Sequence, residues 1–180
     1  LSSFGDGHDR APLENYRKLP IPKGYTLQNR YVGQFLLYGS GENWGRPKEN
    51  SQSPLYALRW AENSQTQEIM LSHGIDRIEA LGAHAIVVGA NGQDLHFSSI
   101  NLNKTANLSH RYVRAEAAQG ETRSHGFFYK SETPTDGMLG LPIRNGGECG
   151  YQQLRKGSAA VLFLKNKNLK LSEMGALDST

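Results

Sequence analysis

Short apolar stretches separated by glycine-containing turns recur along most of the chain. Four of them are followed, after a turn, by a stretch in which apolar and polar residues alternate, as in a β-hairpin. Asn91-Gly92 and Asp136-Gly137 give two of these turns the strongest short hairpin signal. The predicted hairpins span residues 34–60, 85–100, 126–143 and 160–174. The pattern predicts an all-β protein built from repeated antiparallel units.

Three further strand candidates lie between these hairpins, at residues 68–71, 75–81 and 111–115. The middle candidate also has apolar residues at helical spacing, but it is short and flanked by glycines, which favours a strand. Adding these candidates gives three or four strands per unit, and a β-propeller blade contains four. Because one hairpin alone is only marginally stable, such units are expected to stack on one another.

One of the units resembles a known type of repeat. Leu81-Gly82, the apolar strand 85–89, the Asn91-Gly92 turn and the strand 95–97 resemble the generic blade of bacterial, often secreted, β-propeller proteins. The Trp-Asp dipeptide of WD40 blades is absent, and Gly146-Gly147 does not directly follow an apolar strand as the kelch doublet does. The resemblance implies about four propeller-like blades or part of a larger propeller, and an extracellular or periplasmic location.

The composition changes near residue 24. Residues 1–24 are polar and contain three prolines, and they are expected to form the end of a preceding repeat and a connecting loop. Residues 25–180 form the predicted repeat domain. Leu1–Gly5 (LSSFG) matches Leu171–Gly175 (LSEMG), so Leu1 is expected to lie inside a repeat. The remainder of a larger propeller is therefore an expected partner.

Bulk properties exclude some functions. The 180 residues include 20 glycines, which suits many tight turns, and carry a net charge of only +3. No basic cluster interleaved with aromatic residues is present, so nucleic acid is not an expected ligand. No apolar run reaches the roughly 18 residues of a membrane span. Cys149 is the only cysteine, so an intrachain disulfide cannot form.

The densest polar stretch, residues 119–126, contains the candidate ligand-binding residues Glu121, Arg123 and His125. In a propeller such loops gather around one opening, where a carboxylate, a guanidinium and an imidazole could contact a ligand. The alternative is that these side chains face solvent or pair across strands. Trp44 is the aromatic residue expected in a loop, where it could stack on a sugar, whereas Tyr38 and Trp60 are expected in the core.

These features favour a non-enzymatic binding scaffold whose loops contact a protein or glycan ligand. One alternative is a hydrolase or lyase acting on carbohydrate or peptide, with Glu121 or His125 in acid–base chemistry and Arg123 on an anionic group. Another is a purely structural part of a larger propeller. No cofactor is predicted, and no metal site, because the acidic and histidine residues at 6–9 lack the spacing of an EF-hand loop.

Overall fold

A computed structural model describes residues 12–41, 49–146 and 159–178. The protein is all-β, as predicted: in the described residues, thirteen strands form three antiparallel sheets, accompanied by 3₁₀ turns at Leu13–Asn15 and Ser124–Gly126. Within the described residues the sheets close into neither a barrel nor a propeller. No helix in this part of the chain is long and apolar enough to cross a membrane.

The first two sheets are four-stranded, and each strand pairs with the next one along the chain. Sheet I consists of β1 (Thr26–Val32), β2 (Phe35–Gly41), β3 (Ser53–Arg59) and β4 (Gln67–Leu71). Sheet II consists of β5 (Arg77–Leu81), β6 (His84–Asn91), β7 (Asp94–Leu102) and β8 (Ala106–Arg114). The three strand candidates between the predicted hairpins correspond to β4, β5 and β8, which confirms their assignment as strands.

Sheet III has an interrupted edge. Its strands are β9 (Ala117–Gln119), β10 (Phe128–Ser131), β11 (Gly137–Asn145), β12 (Ala159–Lys167) and β13 (Lys170–Asp178). The order is β10-β11-β12-β13, and β9 pairs with the far end of β11 on the same side as β10. The strands β9 and β10 are therefore two pieces of one edge, separated by the loop 120–127.

Two-residue turns set the register of several hairpins. Gly33, Gly82 and Gly92 each occupy the first turn position at a positive φ, between 55° and 65°. The β12–β13 turn consists of Asn168 and Leu169, and both have positive φ, as a type I′ turn requires. Such turns match the right-handed twist of the flanking strands, so each fixes which side chains share a face.

Sheet II is the middle layer of the molecule. Its strand β6 is buried on both faces: Ala85 and Val87 join a cluster with sheet I, while Ile86 and Val88 join a cluster with sheet III. A continuous apolar run is the pattern expected of a strand covered on both sides. The three sheets therefore stack face to face in chain order, with β1, β5 and β10 at one side of the stack.

Two expectations need correction. Four hairpin units were predicted, but the last two hairpins belong to one sheet because β11 pairs with β12, so the described residues form three sheets.

Trp60 was expected in the core, but it is 55% exposed and lies edge-on against Tyr31. Its indole N–H donates to the carbonyl of Gly33, which anchors the ring at the surface. Tyr38 is buried, as predicted.

Candidate functional site

The loop 120–127 leaves sheet III at a position set by Pro142 of β11. The Gly120 N–H donates to the Pro142 carbonyl at 2.8 Å, so that carbonyl faces the β9–β10 edge. In a β-strand the N–H and C=O of one residue point to the same side, and proline has no N–H. The edge strand therefore cannot be fully bonded beside Pro142. Its interruption there produces the loop that carries the predicted site residues.

A buried guanidinium holds the backbone of this loop. Arg77 is 3% exposed; its Nε donates to Gln119 Oε1 at 3.0 Å, and its Nη2 donates to the carbonyls of Glu121 and Arg123 at 2.9 and 2.7 Å. The Phe127 ring lies 6.0 Å from the guanidinium carbon, within the range of a cation–π contact. A single side chain on sheet II thus fixes the start, middle and end of a loop that belongs to sheet III.

One carboxylate is shared by two guanidinium groups. Glu79 Oε1 lies 3.0 Å from Arg77 Nη1, and Glu79 Oε2 lies 2.9 Å from Arg30 Nη2. The side chains of Arg77 and Glu79 are almost fully buried, whereas that of Arg30 is 41% exposed. Two cations around one anion leave an uncompensated positive charge. Arg30 is the exposed member of the cluster, so this positive charge is accessible to a ligand at the surface.

A cleft of about 350 Å³ opens over this charge cluster. Sheet I contributes Arg30, sheet II contributes part of β5 and its turn, and the loop and β10 contribute aromatic and hydroxyl groups. The lining residues are Arg30, Glu79, Ala80, Gly82, Ser124, Phe127, Tyr129 and Ser131. All three sheets therefore contribute to one concave surface, which combines a cation, hydroxyl groups and aromatic rings. Binding sites commonly have this mixed lining.

The structure brings two of the predicted site residues together on the loop that carries Ser124, one of the cleft residues. His125 Nε2 lies 3.8 Å from Glu121 Oε2, while Glu121 Oε1 accepts the Arg123 backbone N–H at 2.8 Å. This backbone hydrogen bond is the main cause that lowers the pKa of Glu121. The side chains of Arg123 and His125 are exposed, and Ser124 between them lines the cleft. Trp44 lies outside the described residues, as do Cys149 and the polar cluster at 6–9.

Arg30, Arg77 and Glu79 were not among the predicted site residues. A sequence signal for two of them exists: in the strand Arg77-Ile78-Glu79-Ala80-Leu81, opposite charges occupy positions i and i+2, hence one face. Charged residues on a strand of a protein core are buried only when they are paired. Arg30 could not be found in this way, because its partner is 49 positions away in the sequence.

A second polar arrangement resembles a catalytic pair but is closed to substrate. The His73 Nδ1 lies 2.8 Å from the Gly74 carbonyl, which can only accept, so Nδ1 carries the proton. Nε2 then accepts the Ser98 hydroxyl at 2.7 Å. His73 and Ser98 are both fully buried, so the pair holds the connection between sheets I and II.

The described residues contain no group of three or more His, Cys, Asp or Glu side chains that could hold a metal ion.

No family model matches the chain, and neither do the curated proteins or the solved structures.

Proposed function

We propose that the protein is a non-enzymatic binding scaffold, which presents the loop 119–126 and the adjoining cleft to a protein or glycan ligand. The observation that supports this proposal most directly is that Arg77 holds the backbone of this loop in place, beside a cleft with excess positive charge. A loop that is already ordered loses little entropy on binding, which favours affinity. The exposed guanidinium of Arg30 suits a ligand with an anionic group, such as a carboxylate.

The arrangement of the sheets supports a propeller-like scaffold. Each described sheet contains an up-and-down run of four consecutive strands, and consecutive sheets pack face to face. This is how the blades of a propeller follow one another. We propose that the three sheets are blades, with β1, β5 and β10 on the side of the axis. The cleft would then lie where blades converge, the usual position of a propeller's ligand.

The hydrolase or lyase alternative rests on the approach of His125 to Glu121. Binding is the better supported role, because the lowered pKa of Glu121 makes its carboxylate a weaker base and a poor proton donor near neutral pH. Glu79 is also unsuited to proton transfer, since both of its oxygens are engaged by guanidinium groups. An assay of glycan and peptide cleavage with the purified chain separates the two roles.

The binding role is tested by NMR titration with glucuronate, glucose and a glutamate-rich peptide. We expect the carboxylate-bearing probes to shift the backbone signals of Arg30, Ser124 and Phe127, and glucose to shift them far less. Arg123→Ala and His125→Ala should remain folded and bind the carboxylate-bearing probes at least tenfold more weakly, which corresponds to about 1.4 kcal/mol. Glu121→Ala should also remain folded, but it removes a carboxylate that repels these probes and should strengthen their binding.

Arg30→Gln should abolish binding, because it removes the cation that the cleft exposes. Lys104→Gln is the matched control: this exposed lysine lines a separate cleft between sheets I and II. Binding that is unchanged in Arg30→Gln and in all three loop variants would refute the assignment of the site.

A further inference from the structure

A proline-containing segment of the chain, residues 19–23, covers part of the outer face of sheet I, the face turned away from sheet II. The Tyr38 hydroxyl donates to the Pro20 carbonyl at 3.1 Å, and the Ser40 hydroxyl donates to the Lys23 carbonyl at 3.0 Å. Tyr38 and Ser40 alternate along β2 and are both buried. Two hydroxyl groups of one strand therefore hold the backbone of this segment on the sheet.

The segment has the constraints and the period of a polyproline II helix. Proline fixes its own φ near about −65° and keeps the residue before it extended, so Leu19, Pro20, Ile21 and Pro22 are all restricted. A polyproline II helix has three residues per turn and no internal hydrogen bonds, so its carbonyls are free to accept. The accepting carbonyls belong to Pro20 and Lys23, three positions apart, and the half-buried Leu19 and Pro22 have the same spacing. The outer face of sheet I thus already binds one proline-containing segment.

An apolar groove of about 390 Å³ runs beside this segment, and we call it the β1 groove. The segment forms one wall, while Leu27, Asn29 and Tyr31 of β1 and Leu36 and Tyr38 of β2 form the floor. The side chains of Leu27 and Tyr31 are 60 and 63% exposed. The segment therefore covers the β2 side of this face and leaves the β1 side open.

Two aromatic rings stand at one end of the β1 groove. Tyr31 is the last groove residue along β1, and its ring meets that of Trp60 edge-on, with centroids 6.3 Å apart. Trp60 is 55% exposed, yet its position is fixed by the hydrogen bond from its indole N–H to the Gly33 carbonyl. Grooves lined by exposed aromatic rings are the sites at which proline-rich peptides dock in the polyproline II conformation.

We infer that the β1 groove binds a proline-rich peptide of a partner protein, alongside the chain's own segment. The groove continues the face that already holds residues 19–23, and Tyr38 contributes to both. A polyproline II peptide is extended before it binds, so it loses little conformational entropy on docking. Its proline rings would pack on Tyr31 and Trp60, and its aliphatic side chains on Leu27.

The β1 groove is separate from the cleft at Arg30. Asn29 and Tyr31 flank Arg30 in β1, so their side chains point to the opposite face of the sheet. The groove and the cleft share none of their described lining residues. A ligand in one therefore leaves the other open.

A carbohydrate is less suited to the β1 groove than a peptide. Sugar hydroxyls need several converging polar partners. The polar side-chain groups among the described lining residues are Asn29 and the hydroxyls of Tyr31 and Tyr38, and Tyr38 is already engaged by Pro20. The remaining lining is aliphatic or proline, which matches the chemistry of a proline-rich peptide.

The test is an NMR titration of the intact chain with an oligoproline peptide, and with a glycine–serine peptide of the same length as the control ligand. We expect oligoproline to shift the indole N–H signal of Trp60 and the backbone signals of Leu27 and Tyr31 until they saturate. The glycine–serine peptide should leave these signals in place, because it offers neither proline rings nor a preformed polyproline II helix.

Substitutions locate the binding surface. Tyr31→Ala should weaken oligoproline binding by about tenfold or more, and Leu27→Ala should weaken it as well; both side chains are exposed enough for the fold to tolerate their loss. Phe128→Ala is the matched control, because this aromatic residue is 54% exposed but lies on sheet III, and it should bind like the unmodified chain.

Four results would overturn the proposal. The first is the absence of saturable shifts with oligoproline, and the second is unchanged binding in both Tyr31→Ala and Leu27→Ala. The third is a loss in Phe128→Ala as large as that in Tyr31→Ala. The fourth is a cello-oligosaccharide that shifts the Trp60 and Tyr31 signals more than oligoproline does, which would assign the groove to a glycan.

Discussion

At the scale of single residues, the clearest consequence of burial concerns His73. Its ring is fully buried, and desolvation is the main cause that lowers its pKa from 6.5 to about 4. The neutral form also fits its hydrogen bonds, because Nε2 must accept from Ser98. Burial also lowers the pKa of His84 and of His96, whose ring lies 5.5 Å from that of His73. The folded protein therefore resists binding protons that the unfolded chain accepts.

This difference predicts a pH dependence of stability. Between pH 6.5 and about 4 the unfolded state holds a proton on His73 that the folded state lacks, so the free energy of unfolding should fall as the pH falls. The shift corresponds to about 3 kcal/mol at most. Urea unfolding across this range should show the loss, and His73→Gln should reduce it. Equal pH dependence in His73→Gln and the unmodified chain would contradict this role.

Only part of the candidate site could be predicted from the amino-acid sequence. The polar loop was identifiable because Glu121, Arg123 and His125 fall within five positions, and the structure brings Glu121 and His125 near each other. The part that fixes the loop was not identifiable, since Arg77 acts through backbone carbonyls 44 and 46 positions away. Such contacts depend on how one sheet packs on another, and no local sequence pattern indicates that packing.

At the scale of elements, the connection between sheets I and II is as tightly defined as the strands. Gly74 N–H donates to the Ala90 carbonyl and Asp76 N–H donates to the Val88 carbonyl, both at 3.0 Å. This segment therefore lies along β6, directly over Gly89. A Cβ on Gly89 would lie 1.6 Å from the Gly74 carbonyl oxygen, which is far inside contact distance. Glycine is required there by the close approach of two backbones.

Gly89→Ala should therefore destabilise the protein by about 3 kcal/mol or more, because backbone rather than a flexible side chain must move. Gly140→Ala is the matched control: its Cβ would meet the edge of the Phe163 ring at 3.3 Å, and that ring is free to shift. It should cost about 1 kcal/mol or less. Chemical unfolding of both variants measures the difference, and similar losses of stability would contradict the path of this segment.

The hairpins could be predicted from sequence because turn residues and alternating patterns are local. The β6–β7 hairpin was predicted from the Asn-Gly signal and the flanking apolar strands. The turn itself lies one residue later than that signal places it: Asn91 pairs with Asp94, so the two turn residues are Gly92 and Gln93. The assignment of hairpins to sheets could not be predicted. Pairing of β11 with β12 joins two hairpins across an intervening stretch, and the patterns of both strands are equally compatible with separate sheets.

At the scale of the whole molecule, the arrangement follows from strands whose two faces are both apolar. The neighbours Ile86 and Val87 point to opposite sides of sheet II and belong to different clusters. A middle layer of this kind needs a covering sheet on each side, whereas the outer sheets need only one. The stack thus has a middle sheet with two buried apolar faces and two outer sheets that each bury one face against it.

The most direct test of the three-sheet stack is a methyl–methyl NOE spectrum of the protein in solution. We predict contacts from the Ile86 and Val88 methyl groups to leucines of sheet III, and from Val87 and Ile100 to leucines of sheet I. Leu139, Leu141 and Leu162 are the expected partners on one side, and Leu37, Leu55 and Leu71 on the other. Contacts between the buried leucines of sheets I and III, or contacts of Ile86 with sheet I, would contradict a stack in chain order with sheet II at its centre.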